Sequence, residues 1–326
     1  MSQSVKIDHL LILLFVSCFS IQLLAQEREI RPYSIATTFE KLKKDYPFIS
    51  SVESQISERI EARENVVYKK TAEKNLTADI YMPKAEKAEK FPAVLLIHGG
   101  GWLTGSKENL RPMAQQLAIE GYVAVTAAYR LGSEAIYPAG LIDLKDALKW
   151  MKGNADEYNI DKNKIAVLGT SAGAQIATLL GVTPNSKNFS SGKSDFSDEV
   201  QAIVNIDGVV SFIHPDAEEG WMAATWLGGS KADKFDTWKE ASPLEYVDAS
   251  TPPTLFVNSS YPRFHAGPDV MGAILNEKQI YYEVHRIEET THAVCPVNHW
   301  FDETVLLTTT VLYLCFKSSS SSVNKL

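Results

Sequence analysis

Gly169-Thr170-Ser171-Ala172-Gly173 holds a serine between small residues. The β-branched, apolar run 164–168 leads directly into it, and 174–180, which reads as a helix, directly follows. A serine on a tight strand-to-helix turn presents its hydroxyl as a nucleophile. The flanking glycines matter because a side chain there would clash as the turn forces the serine into strained backbone angles. A Gly/Ser-rich turn without chemistry has the same composition, so a second motif is needed to decide. It lies about 70 residues upstream, where His98-Gly99-Gly100-Gly101-Trp102 follows the apolar run 93–97 without a gap. Consecutive glycines expose backbone N–H groups and admit a substrate closely. Acyl transfer needs such donors because negative charge develops on the carbonyl oxygen in the transition state. A phosphate nest is also glycine-rich, but no lysine–serine or lysine–threonine ending follows. The expected oxyanion donors are the N–H groups of Gly100, Gly101 and Ala172.

Ala128-Tyr129-Arg130-Leu131, Tyr137-Pro138-Ala139, Asp143 with Ala147 and Trp150, and Thr291-His292 occur in order with these two motifs. Over residues 66–317 the chain thereby resembles the α/β-hydrolase superfamily. Within it, the pattern is similar to the secreted carbohydrate esterases that include acetyl-xylan, feruloyl and pectin acetyl esterases. The resemblance implies a mostly parallel central sheet flanked by helices on both faces. It also implies a serine carboxylic-ester hydrolase that works through an acyl-enzyme with no metal or organic cofactor. The implied substrate is an acylated, chiefly acetylated, polysaccharide or oligosaccharide. A feruloyl or general carboxylesterase, or a non-catalytic binding relative of the fold, are the alternatives. Arg130 and Asp143 fall in the scaffold part of the pattern.

The order of such hydrolases is nucleophile, acid, base, with the base in a loop after the last strand. His292, eight residues past the strand candidate 280–284, fits; it would take the proton of Ser171 and return it to the leaving alcohol. His299 is the rival, nearer the start of the last helix and at the pocket rim. His285 lies within the strand and reads as a packed side chain, and His98 as a residue that orients the glycine loop. The acid is where the sequence departs from its relatives, which carry an aspartate just after the penultimate strand. Here that strand, 254–257, is followed by Asn258-Ser259-Ser260-Tyr261-Pro262-Arg263-Phe264-His265, with no acid in the slot. Asp207, ending the preceding strand before Gly208, is the first candidate. Asp269, which could instead cap a helix, is the second, and a serine–histidine pair without acid is the third. Glu288 and Glu289 read as exposed. Trp102, Trp221 and Trp226 could present flat faces to a sugar ring, or pack in the core.

These residues need a scaffold. At 326 residues and 45% hydrophobic, the chain can bury one large α/β core. Strands are expected at 76–81, 93–97, 122–127, 165–168, 200–206, 254–257 and 280–284, and helices at 141–151, 174–180, 271–275 and 304–313. Their alternation predicts a parallel sheet covered on both faces. Residues 26–65 read as an N-terminal extension packed on the domain and 318–326 as a disordered tail. Residues 10–25 are almost entirely apolar and precede Gln26-Glu27-Arg28-Glu29. This reads as a signal peptide, 1–25, for export to the periplasm or exterior. The stretch is shorter than the roughly 20 residues of a membrane span, so no integral membrane segment is expected after cleavage. The net charge of −8 argues against nucleic acid and anionic membranes as partners. Cys295 and Cys315 could pair or stay free, and no zinc-ligand spacing exists among Cys and His.

Overall fold

The structure is a computed structural model that describes residues 29–55, 57–84, 89–292 and 294–321. Two units are distinguished, Met1–Arg31 and Pro32–Leu326. The first lies almost wholly outside the described residues, as does the expected export signal 1–25. The second carries all the described strands and helices.

Eight strands form the central sheet: β2 (Ile60–Lys70), β3 (Asn75–Pro83), β4 (Phe91–Ile97), β5 (Val123–Ala127), β6 (Ile160–Thr170), β7 (Ala202–Ile206), β8 (Thr254–Asn258) and β9 (Tyr282–Arg286). Their order across the sheet is β2-β3-β5-β4-β6-β7-β8-β9. β2, β3 and β5 pair antiparallel, and all pairings from β5 through β4 to β9 are parallel. The run Ala93-Val94-Leu95-Leu96-Ile97 is apolar throughout because alternate residues enter different cores. Leu95 and Ile97 face one core and Val94 and Leu96 the other. The first core is closed by α3 (Ala139–Gly153), α4 (Ala172–Val182) and α7 (Pro268–Glu277), through residues such as Leu144, Leu179 and Met271. The second is closed by α2 (Arg111–Ile119) and α8 (Phe301–Ser321), through Met113, Leu117 and Leu312.

In a parallel sheet all strands end at the same edge, and loops carrying function gather there. The register aligns Thr170 with Ile206, and Ile206 with Val257. Ser171 and Asp207 therefore leave adjacent strands side by side, each one residue past a paired position. Asp143, in α3, is buried. It accepts Arg130 N–H at 3.1 Å, Nε at 2.8 Å and Nη2 at 2.8 Å, and Lys69 Nζ at 2.7 Å. This pins the loop after β5 to α3.

Two expectations are corrected. The sheet begins at Ile60, so the boundary set between extension and domain at residues 65 and 66 cuts through β2. That strand lies at the sheet edge with most residues exposed, and so lacks the alternation that marks a strand. Residues 318–321, read as the start of a disordered tail, continue α8 to Ser321, and 322–326 lie outside the described residues. The remaining extension forms α1 (Ile35–Leu42), capped reciprocally by Ser34 and Thr37, and the short β1 (Ser50–Ser51). This short strand pairs antiparallel with β10 (Val297–Asn298), which follows the His292 loop. Cys295 and Cys315 are both buried and are not joined by a disulfide.

Candidate active site

Ser171 sits at φ 54°, ψ −124°, a conformation that L side chains rarely adopt and that costs on the order of 1–3 kcal/mol. Its N–H donates to Ile206 O at 2.8 Å, and its carbonyl accepts Ala174 N–H at 2.9 Å, fixing the turn between β6 and α4 against the end of β7. The glycines on either side are required by close approach. A Cβ on Gly169 would lie 2.1 Å from Gly173 O, and one on Gly173 would lie 2.2 Å from Ile97 O. The elbow thus presses directly against the end of β4, where the glycine loop begins.

That loop turns at Gly100 (φ 121°) and Gly101 (φ 59°). The Gly100 carbonyl accepts the N–H groups of Leu103 and Thr104 at 3.3 and 3.1 Å. Among the described residues, the N–H groups of Gly100, Gly101 and Ala172 donate to no backbone carbonyl, and Ala172 opens a helix, where first-turn donors have no intrahelical acceptor. His98 braces the loop. Its Nδ1–H donates to Gly99 O at 2.8 Å, its ring stacks on Tyr129 at 4.5 Å, and Tyr129 OH donates to His98 O at 2.8 Å. Burial brings the imidazole down to about 4, against the opposing pull of that Gly99 bond, so it is neutral near pH 7.

His292 connects the two remaining groups. Its Nε2 lies 2.7 Å from Ser171 Oγ, and its Nδ1 is hydrogen-bonded to Asp207 Oδ2. With Nδ1–H donating to the carboxylate, Nε2 is left to accept the serine proton. Asp207 is 1% exposed and φ-positive at 56°. Its second oxygen, Oδ1, accepts Ser259 N–H at 2.9 Å and His265 Nε2–H at 2.8 Å. Burial disfavours the charged carboxylate, yet the hydrogen bonds from His265, His292 and Ser259, with the charge of His292, hold it down at about 2. The Phe264 ring stacks on the imidazole of His292 at 3.4 Å, and Arg263 lies over Phe264 at 4.5 Å.

Of the two acid candidates, Asp207 meets His292, whereas Asp269 is exposed in the first turn of α7. His299 is exposed and packs its ring on Phe48 at 4.8 Å, away from the serine. His285 is not packed in the core; its side chain is 38% exposed on the edge strand β9, beside Glu283. Trp226 is corrected outright. It is 1% exposed and stacks on Trp102 at 5.3 Å within an aromatic cluster with Phe212 and Tyr137, so no sugar can reach it. Trp102 and Trp221 do line the cavity. Trp102 is nevertheless buried and donates Nε1–H to Gln175 at 2.9 Å, so Trp221, half-buried in the short helix Trp221–Trp226, offers the more open face.

The cavity over Ser171 measures about 590 Å³. Beside the expected residues it is lined by Tyr33 and Lys41 of the N-terminal segment, by Glu219 and Met222, and by Arg263 and Phe264. Tyr33 N–H donates to Thr104 Oγ1 at 3.2 Å, which seats that segment on the glycine loop. Burial raises the Glu219 carboxyl, with Arg263 and His292 pulling the other way. Cys295 also faces the cavity, its thiol pushed up to about 12 by burial and by the charge of Asp207, so it stays a thiol. Among the described residues no group of three His, Cys, Asp or Glu side chains is placed to hold a metal. Tyr33, Phe264 and His265 carry no sequence signal, because what they touch comes from distant parts of the chain.

A parallel sheet with a strained serine turn, a glycine loop at the next strand end and a histidine–aspartate pair beside it defines an α/β-hydrolase. Comparison with known proteins narrows this. The chain belongs to the BD-FAE family, whose profile matches residues 78–261, more than half its length. The probable carboxylic ester hydrolase LipM of Mycobacterium tuberculosis is 32% identical over 168 residues, 50% of this chain and 39% of its own. Esterase LipC of the same organism is 27% identical over 189 residues, 56% and 47% of the two chains. The chain thus matches less than half the length of these relatives. Among solved structures, a truncated carbohydrate esterase from gut microbiota superposes with TM-score 0.64 at 23% identity, covering 79% of this chain and 99% of that one. A thermophilic esterase, Est2 of Thermogutta terrifontis, gives TM-score 0.65 at 23% identity, covering 78% and 92%. At such identities these two establish the shared fold.

Proposed function

We propose that the protein is an exported serine esterase that removes a small acyl group, foremost acetyl, from a polysaccharide or oligosaccharide. The observation that carries the esterase reading is His292 bonded at once to Ser171 Oγ and to a carboxylate. A loaded base beside an activated hydroxyl is what covalent acyl transfer requires. Nε2 of His292 takes the Ser171 proton as Oγ bonds to the ester carbon. The carbonyl oxygen gains the negative charge within reach of the N–H groups of Gly100, Gly101 and Ala172, a type of donor worth about 3 kcal/mol of barrier each. The proton then passes from Nε2 to the alcohol oxygen as the C–O bond breaks. Water attacks the acyl-serine by the same route, releasing the carboxylic acid and restoring the hydroxyl. Asp207 stabilises the imidazolium formed in each half.

The polysaccharide reading is supported by the sequence resemblance, by the carbohydrate esterase among the structural neighbours, and by a cavity rim that offers Trp221, Glu219 and Arg263 to a hydroxyl-rich ligand. A feruloyl or general carboxylesterase is the second reading, favoured by the esterase relatives and by a cavity roomy enough for a bulkier acyl group. Acetate release from acetylated xylan and pectin, assayed beside ferulate release and p-nitrophenyl acetate turnover, separates them. Acetate release exceeding ferulate release is the expected result. Turnover of p-nitrophenyl acetate without release from either polysaccharide would support the general esterase. Export is tested by sequencing the N-terminus of the mature protein, expected at Gln26.

A further inference from the structure

Both members of the acid–base pair are gripped by one short turn. After β8, Pro262–Phe264 forms a single 3-10 turn that His265 ends, its N–H donating to Pro262 O at 2.8 Å. From this turn Phe264 lies flat on the imidazole of His292, with centroids 3.4 Å apart and planes at 13°. The next residue, His265, sends Nε2 to Asp207 Oδ1 at 2.8 Å, with its side chain 17% exposed and the aspartate 1%. We propose that His265 is a positioning residue that fixes the plane of the Asp207 carboxylate, and that the turn 262–265 is a clamp setting the geometry of the Asp207–His292 pair.

A carboxylate turns about its Cβ–Cγ bond unless both oxygens are held. Oδ2 is committed to His292, so the orientation rests on Oδ1, which has two donors, Ser259 N–H and His265 Nε2–H. Only the second comes from a side chain, and its ring lies at the end of the same turn that stacks on His292. The titratable groups facing this carboxylate are His265 from the loop after β8, and His292 and the Cys295 thiol from the segment after β9. A carboxylate oxygen can only accept, so the proton in this contact is carried by Nε2 of His265. Losing the His265 donor leaves Oδ1 held by Ser259 N–H alone, which loosens the plane of the carboxylate and with it the alignment of Nε2 of His292 on Ser171. A misplacement of about 1 Å at a catalytic group can cost on the order of 100-fold in turnover, so a partial loosening is expected to cost about 10-fold.

This inference rests on the esterase reading for its kinetic arm only, so the test has a second arm that needs no catalysis. His265→Leu removes the donor, and His265→Gln restores one at similar reach. In p-nitrophenyl acetate hydrolysis, His265→Leu is expected to lower kcat by about 10-fold or more with KM within about twofold, and His265→Gln to recover most of it. In a Ser171→Ala background, the low-field proton NMR resonance of the Asp207–His292 hydrogen bond is expected to shift or vanish with His265→Leu and to return with His265→Gln. Thermal melting shows that each variant is folded. Folded His265→Leu protein with unchanged kcat and an unmoved resonance overturns the proposal. So does equal loss of kcat in both variants with the resonance unmoved, which is the mark of packing alone. Absence of wild-type turnover together with the expected NMR changes would defeat the esterase reading and leave the clamp standing.

Discussion

Nε2 of His292 and Oγ of Ser171 stand 2.7 Å apart although 121 positions separate them in the chain. The serine is delivered by the end of β6 and the histidine by the loop after β9, and these strands are not neighbours. What brings them together is β7 and β8 between them. β7 ends in Asp207, which reaches the far side of the imidazole, and β8 leads into the turn whose Phe264 stacks on it. The site is therefore a property of the sheet edge as a whole.

If Asp207 is the acid, Asp207→Asn lowers kcat for p-nitrophenyl acetate by on the order of 10⁴-fold, because the amide stabilises the wrong imidazole tautomer. Asp269→Asn, at an exposed helix start, leaves kcat within about twofold and costs at most a few tenths of a kcal/mol of stability. The reverse ranking would reassign the acid.

The same carboxylate links stability to pH. Its folded value of about 2 lies below its ordinary 3.8. A lowered value means that the stabilisation is complete above about 4 and is lost as pH falls toward about 2. The contribution is on the order of 2 kcal/mol. The melting-temperature difference between wild type and Asp207→Asn should therefore narrow as pH drops from about 5 to about 2. A difference that stays constant over this range would refute the linkage.

Trp226→Ala empties a fully buried aromatic site and should lower stability by about 3–5 kcal/mol in chemical denaturation. Trp221→Ala changes a half-buried cavity wall. Its expected signature is a raised KM for oligosaccharide esters, with little change in kcat on p-nitrophenyl acetate and a much smaller loss of stability.

Gly173→Ala drives a methyl to 2.2 Å from the Ile97 carbonyl, backbone against backbone. Strain of this kind costs about 1–3 kcal/mol or more, and any relief must move the elbow. Activity should fall at least about 100-fold. Gly220→Ala meets nothing within 4 Å, so it should cost much less stability than Gly173→Ala.

How far the sequence is legible depends on how local each feature is. The Ser171 turn and the glycine loop are written within five residues each, because close backbone approach admits only glycine at Gly169 and Gly173. The parallel strands are legible from continuous apolar runs, since β4 serves two cores at once. Edge strand β2 is not, because its exposed residues show no period. Asp207 stays one candidate of several in the sequence because its partners arrive from 52, 58 and 85 positions away. Trp226 misleads for a similar reason. A tryptophan reads the same whether it stacks on a sugar or on Trp102, and only the packing distinguishes the two.

Ser171, activated by His292, is the proposed nucleophile. Its most direct test is p-nitrophenyl acetate hydrolysis by wild type and by Ser171→Ala, with melting curves on both. Wild type is expected to turn over, and Ser171→Ala to fall by on the order of 10⁶-fold, to the uncatalysed background, while melting like wild type. Wild-type rates retained by Ser171→Ala, or a folded wild type with no turnover, would contradict it.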